Sequence, residues 1–244
     1  MSDQNSTALP PNPDELAAEL EQAFTTGTLK TQLATVDRLT ATGEEGLNAL
    51  QTYLLDSEDS PPTPARGKIY QRLIQAENGA IATLLEATYP DGIVTPQSER
   101  DVDYQTLQDA LIVQDYLTAD RLSIQLLCEL VGPAAVQRKW LYFSEVDKIP
   151  IPDFQTLDLL WQTYSEGKFG FSVQRKLWLS LGKNFTKLWE RIGWRQDNNW
   201  TRYPNSFTWN LTAPQGHLPL SNQLRGVRTF EAILNHPAWQ TSAP

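Results

Sequence analysis

Cysteine is almost absent: Cys128 stands alone in 244 residues. That excludes an internal disulfide, and with it the disulfide-framed secreted domains, and fits a reducing compartment. Histidine is scarce too, with only His217 and His236. A conventional zinc site would have to be built mainly from carboxylates, and no spacing suggests one. No apolar run approaches the roughly 18 residues that a membrane helix needs, and the start, MSDQNST, is too polar for a secretory signal. Also missing are the G-x-x-x-x-G-K-[ST] and G-x-G-x-x-G phosphate loops, the H-E-x-x-H zinc helix and the G-x-S-x-G elbow. The expectation is a soluble, cytoplasmic protein that is not an enzyme.

Charge and aromatic content divide the chain. Residues 1–87 hold 13 acidic and 5 basic side chains, and residues 88–244 hold 16 and 15. Within the second part, 168–228 carries ten Lys and Arg against Glu190 and Asp197, and all eight tryptophans lie beyond residue 139. A basic, aromatic segment invites a nucleic-acid reading, but no recognisable binding motif accompanies it and the overall pI is about 4.8. A compact anionic ligand with a large apolar body suits it better, because paired arginines hold carboxylates bidentately.

The fold class read from periodicity is all-α. Asn12 caps a helix with Pro13 at its first position, and Leu16, Leu20 and Phe24 share one face. Leu29 to Leu39 and Leu47 to Leu54 repeat the pattern. SEDSPPTPARG (57–67) interrupts it, and Ile69 to Leu84 resume it. Residues 1–87 are therefore expected to form an N-terminal helical bundle. TYPDGIVTPQSERDVD, aperiodic and with two prolines, is expected to be a linker over 88–103. A larger helical domain with long structured loops follows over 104–239, then a tail at 240–244. Helices are expected at 104–115, at 117–131 with Cys128 inside, from an Asp153 cap to Gly167, from a Ser172 cap to Gly182, at 185–192, and at 222–235. Residues 198–211 read as a structured loop or small hairpin.

Three stretches carry the chemistry. EVDKIPIPDF (145–154) reads as a stiff loop offering Ile149 and Ile151 either to its own domain or to a partner. FGFSVQRKLW (169–178) reads as core aromatics at a helix entry. APQGHLPLSNQLRGVR (213–228) starts as a loop and ends on a helix, where Arg225 and Arg228 lie side by side at i and i+3 next to an apolar face. A loop histidine such as His217 more often hydrogen-bonds backbone near a turn than performs catalysis.

LWQTYSEGKFGFSVQRKLW (160–178), FTKLWERIGW (185–194) and FTWNLTAPQGHLPLSNQLRGVR (207–228) closely resemble the genomes-uncoupled-four family, as do ALIVQDYLTAD (110–120) and QRKWLYFSEVDKIP (137–150). These cover most of 88–239 in the family's order, and the first 87 residues resemble the N-terminal domain of cyanobacterial members. The resemblance implies a regulator that binds protoporphyrin IX and Mg-protoporphyrin IX. It would stimulate magnesium chelatase in chlorophyll biosynthesis through the large porphyrin-binding subunit. It also implies a cupped apolar surface, which maps onto Phe143–Pro152 and Tyr203–Arg228. On that basis Phe143, Val146, Ile149, Ile151, Tyr203, Leu218 and Leu220 are the expected contacts to the porphyrin disc. Arg225 and Arg228 would take the propionates, and Asn222, or a water it holds, would offer the axial oxygen that Mg²⁺ prefers. The family's usual residue at Tyr203 is tryptophan; tyrosine keeps a smaller stacking face. A monomer is expected, with no nucleic-acid partner and with room for peripheral association with photosynthetic membranes. The rival expectation is a helical interaction adaptor with no porphyrin role.

Overall fold

The computed structural model describes residues 12–76, 78–197, 199–220 and 227–240. They are overwhelmingly helical and divide into two compact units, residues 1–61 with 68–88, and residues 62–67 with 89–244.

The first unit contains α1 (Pro13–Thr26), α2 (Leu29–Ala41), α3 (Glu44–Asp56), most of α4 (Pro64–Gln75) and α5 (Gly79–Thr88). Asn12 caps α1 by accepting the Asp14 N–H, and Pro13 sits in the first turn, where its missing N–H costs nothing. Leu16 and Leu20 of α1, Val36 and Leu39 of α2, and Leu50 and Leu54 of α3 are all at most 2% exposed. Periodic leucines therefore become a core, as the spacing predicts. Gly46 permits the tight α2–α3 approach, since a Cβ there would meet the Leu39 carbonyl oxygen at 1.9 Å. Asp37 accepts from Lys68 at 2.6 Å and Arg72 at 3.0 Å, tying α2 to α4. Partial burial pushes the Asp37 carboxyl up, but the two cations outweigh it and hold the carboxyl below its usual value.

The second unit is built around α9 (Ile151–Thr163), whose Phe154, Leu157, Leu160 and Trp161 have no exposed surface. A helix buried on nearly every side loses its amphipathic stripe. Around it lie α6 (Gln105–Ile112), α7 (Tyr116–Val131), α8 (Pro133–Arg138), a 3₁₀ turn at Phe143–Lys148, α10 (Phe171–Ser180), α11 (Phe185–Arg191) and α12 (Val227–Asn235). A two-residue hairpin pairs β1 (Arg195–Gln196) with β2 (Asn199–Trp200), and a closing 3₁₀ turn spans Pro237–Trp239. Buried aromatics spend their polar atoms on neighbours: Trp161 Nε1 donates to Ser123 Oγ at 2.9 Å, and Tyr116 Oη donates to the Tyr164 carbonyl at 2.8 Å.

Four local expectations change. The stretch 89–103 is packed rather than loose: Tyr89, Ile93 and Val94 are buried, and Ser98 and Glu99 hydrogen-bond the Asp153 carboxylate. Asp153 is not a helix cap; α9 begins two residues earlier, and the buried carboxylate also takes the Tyr104 hydroxyl at 2.8 Å. Residues 145–154 are not a loop, because Pro150 and Pro152 sit at the start of α9, where proline is tolerated. Similarly, α10 starts at Phe171 after Gly170, and Ser172 instead donates its N–H to Asp158 at 2.8 Å. Gly170, at φ +137°, is required there, because a Cβ would lie 2.7 Å from Asp158 Oδ1.

Candidate functional site

The 3₁₀ turn is braced from both sides. Glu145 accepts the Tyr142 N–H at 2.9 Å and pairs with Arg138 at 2.6 Å. The Arg138 guanidinium also lies 4.5 Å from the Tyr142 ring centre and 5.2 Å from that of Trp140. Arg100 donates to the Lys148 carbonyl at 2.7 Å and to that of Leu130. This turn packs against α12 and α7. Phe143 is left 48% exposed, and the Arg228 guanidinium of α12 stands over its ring, 5.5 Å from the centre. The pair is a cation–π contact whose two members both face solvent.

The loop from Tyr203 to Leu220 is stitched into the unit by buried polar groups. Gln174 Nε2 donates to the carbonyls of Gly216 at 3.0 Å and Pro219 at 2.8 Å. Gly170 N–H donates to the Leu218 carbonyl at 3.0 Å, and Trp194 Nε1 to that of His217 at 2.8 Å. His217 is 2% exposed. Its Nδ1 lies 2.6 Å from the Ile192 carbonyl, and its Nε2 accepts the Thr208 N–H at 3.3 Å. A carbonyl can only accept, so Nδ1 carries the proton and the ring is neutral. Burial pushes its pKa below the usual value, against the opposing effect of the Ile192 carbonyl. His217 is thus a joint between backbone segments, as a loop histidine was expected to be. His236 is similar, with Nδ1 accepting from Ala238 N–H at 3.2 Å.

The predicted contacts separate into three groups. Phe143, Ile151 and Tyr203 are 48%, 36% and 42% exposed and open to a ligand. Val146, Ile149, Leu218 and Leu220, at 0%, 2%, 0% and 5%, are core residues. The expectation that they face a ligand is corrected: they support the surface from beneath. Asn222 and Arg225 lie outside the described residues. Ile151 lines a cavity of about 460 Å³ that does not include Phe143 or Arg228; Arg100, Lys148 and His236 line it as well, and the largely buried Ile149 borders it.

Two residues of α7 that the sequence did not single out meet the loop. Asp120 accepts the Leu220 N–H at 2.6 Å, and Arg121 Nε donates to the Tyr203 hydroxyl at 3.3 Å. The signal for Asp120 was its position: Tyr116, Asp120, Ser123 and Leu127 share one helix face, and all four are buried. Among the described residues no group of three or more His, Cys, Asp or Glu could hold a metal, and no helix is long and apolar enough to cross a membrane.

The second unit is helical, encloses a neutral, hydrogen-bonded histidine and carries an exposed aromatic–arginine pair. The chain belongs to the GUN4-like family, whose model matches residues 97–237, and an ARM-like repeat domain, GUN4-N terminal, matches residues 10–90. A Ycf53-like protein of Synechocystis sp. is 50% identical over 222 residues, covering 91% of this chain and 95% of that one. A chloroplastic tetrapyrrole-binding protein of Arabidopsis thaliana is 38% identical over 148 residues, covering 57% and 56%. The structure of GUN4 from Chlamydomonas reinhardtii matches with a TM-score of 0.57 at 40% identity, covering 61% of this chain and 95% of that one.

Proposed function

We propose that this chain binds a tetrapyrrole, specifically protoporphyrin IX and Mg-protoporphyrin IX. We further propose that it stimulates magnesium chelatase by acting on the large porphyrin-binding subunit of that enzyme. The observation that carries this reading is family membership over 97–237, together with a relative named for tetrapyrrole binding. The residues suit the chemistry. A porphyrin is a flat apolar disc with two carboxylates on one edge, and Phe143 with Arg228 offers a ring face beside a guanidinium. Tyr203 adds a second exposed ring. Covering a few hundred Å² of disc is worth on the order of 10 kcal/mol before association costs, which leaves room for micromolar or tighter binding. Arg225 joins Arg228 as the second propionate partner in this reading, and Asn222 supplies the axial oxygen for the magnesium form. The role is that of carrier and regulator, with no bond made or broken by the protein.

Equilibrium dialysis of the full chain against each pigment tests the reading. Saturable 1:1 binding is expected, and its absence overturns the proposal. Addition of the protein to a reconstituted chelatase should then raise the rate of magnesium insertion.

Tyr142, 46% exposed and next to Phe143 in sequence, and Val136 of α8, 43% exposed, favour a second reading, in which exposed apolar side chains here contact a protein. Capture of the chelatase large subunit without pigment, by a chain that binds none, would select the adaptor role.

A further inference from the structure

The residues around Phe143 form a cluster that the pigment contacts above do not use. The chain leaves α8 through Lys139, which lies in the left-handed region at φ +62°. The residues that follow come back beside Arg138. Its guanidinium stands over the rings of Trp140 and Tyr142, which meet edge to face with centres 4.4 Å apart. Arg138 Nη2 donates to Glu145 Oε2 at 2.6 Å and to the Trp140 carbonyl at 3.4 Å. The same Glu145 oxygen accepts the Tyr142 N–H at 2.9 Å, and the Glu145 N–H donates to the Tyr142 carbonyl at 3.0 Å. Residues 142 and 145 are thus joined twice, in the reciprocal pattern that closes the first turn of a helix. Only 24% of the Arg138 side chain and 15% of the Glu145 side chain are exposed, so water and salt screen this ion pair less than a surface pair.

The double link spans an exposed piece of chain. Leu141 and Val146 are buried, while Tyr142, Phe143 and Ser144 between them face solvent. Core packing holds the two ends, and Glu145 bonds back across the middle. With its ring half exposed, Phe143 takes its direction largely from the backbone of this span. Arg228 reaches that ring from α12, a different element, so the two meet where the turn places the ring.

We propose that Glu145, oriented by Arg138, is a positioning residue for tetrapyrrole binding, which holds the exposed span so that the Phe143 ring meets the pigment beside Arg228. The inference rests on the porphyrin reading and deepens it. A span free to take other shapes binds more weakly, in proportion to the time it spends out of the competent one.

The test is a double-mutant cycle on the full chain with protoporphyrin IX as probe: wild type, Glu145→Ala, Phe143→Ala and the two combined. Dialysis is run well below the lowest melting midpoint of the four, so that every sample is folded. We expect each single variant to bind at least about fivefold more weakly, and the double variant to stay within about twofold of Phe143→Ala, because a residue that acts through Phe143 has nothing left to position once the ring is gone. A general loss of structure would instead weaken binding further in the Phe143→Ala background, and additive losses overturn the inference. Wild-type affinity in the folded Glu145→Ala variant, or in Phe143→Ala, overturns it as well and leaves the porphyrin reading intact. Absence of binding by wild type removes the porphyrin reading, and this inference with it. If Glu145→Ala does not fold, Glu145→Asp, whose carboxylate falls one methylene short, takes its place in the cycle with the same expectation.

Discussion

His217 and Asp120 show how burial assigns opposite pH dependence to two side chains of one unit. The folded-state pKa of His217 is lowered, so the unfolded chain binds the proton more readily. Its contribution to stability is complete above about pH 6.5 and declines as pH falls through that value. His217→Gln should remove the loss of stability that His217 contributes as pH falls from 7.5 to 5.5, changing the slope of stability against pH relative to wild type in urea titrations; an unchanged slope would mean the ring is not buried neutral. His217→Ala should cost on the order of 2–4 kcal/mol, because it deletes two backbone contacts in the core. Asp120 runs the other way. Its folded pKa is raised from 3.8 to about 7, so its protonated form favours the fold and stability is lost as pH climbs between those values. The full shift corresponds to an upper bound of about 4 kcal/mol. Asp120→Asn, which removes the ionisation and keeps the shape, should therefore melt higher than wild type at pH 8 and at nearly the same temperature at pH 5. A variant that melts lower at pH 8 would contradict a buried, proton-linked carboxyl.

At the scale of elements, the helices of the first unit were legible because each carries its own instruction: a cap at Asn12, leucines at three- and four-residue steps, and a glycine at each end of α2. Gly46→Ala tests how closely α2 and α3 pack. The new methyl would meet the Leu39 carbonyl, which is backbone and cannot swing away, as well as the Thr42 hydroxyl, so a loss of about 1–3 kcal/mol is expected in chemical denaturation. Little or no loss would mean that the helices can separate at no cost. In the second unit, prolines misled. Pro150 and Pro152 read as a loop signal although they open α9, since the first turn of a helix accepts the residue that a later turn rejects. Depth was harder still. Val146, Ile149, Leu218 and Leu220 stand in proline-rich or turn-like sequence with no period to say which way they point, and all four point inward. The arginine–aromatic pair was half legible: Arg228 could be placed beside the apolar face of its helix, but its approach to Phe143 depends on a contact 85 residues distant. Arg228→Glu puts like charge where a propionate is proposed. Because Arg228 is exposed, this should weaken protoporphyrin binding at least tenfold and leave the melting temperature within about a degree. Unchanged affinity would remove the arginine from the site.

For the molecule as a whole, the division between an acidic, tryptophan-free first unit and a second unit with every tryptophan has an experimental consequence. Indole emission reports on the second unit alone, while far-ultraviolet ellipticity sums the helices of both. One sample, heated once and observed through both channels, therefore yields two melting curves with different meanings. Gly46→Ala, whose effect arises within the first unit, should displace the ellipticity curve and leave the emission midpoint where it was. If both midpoints move together, the units unfold as one cooperative body. The chain's uneven tryptophans thus act as a built-in label for one half of it, with no dye attached.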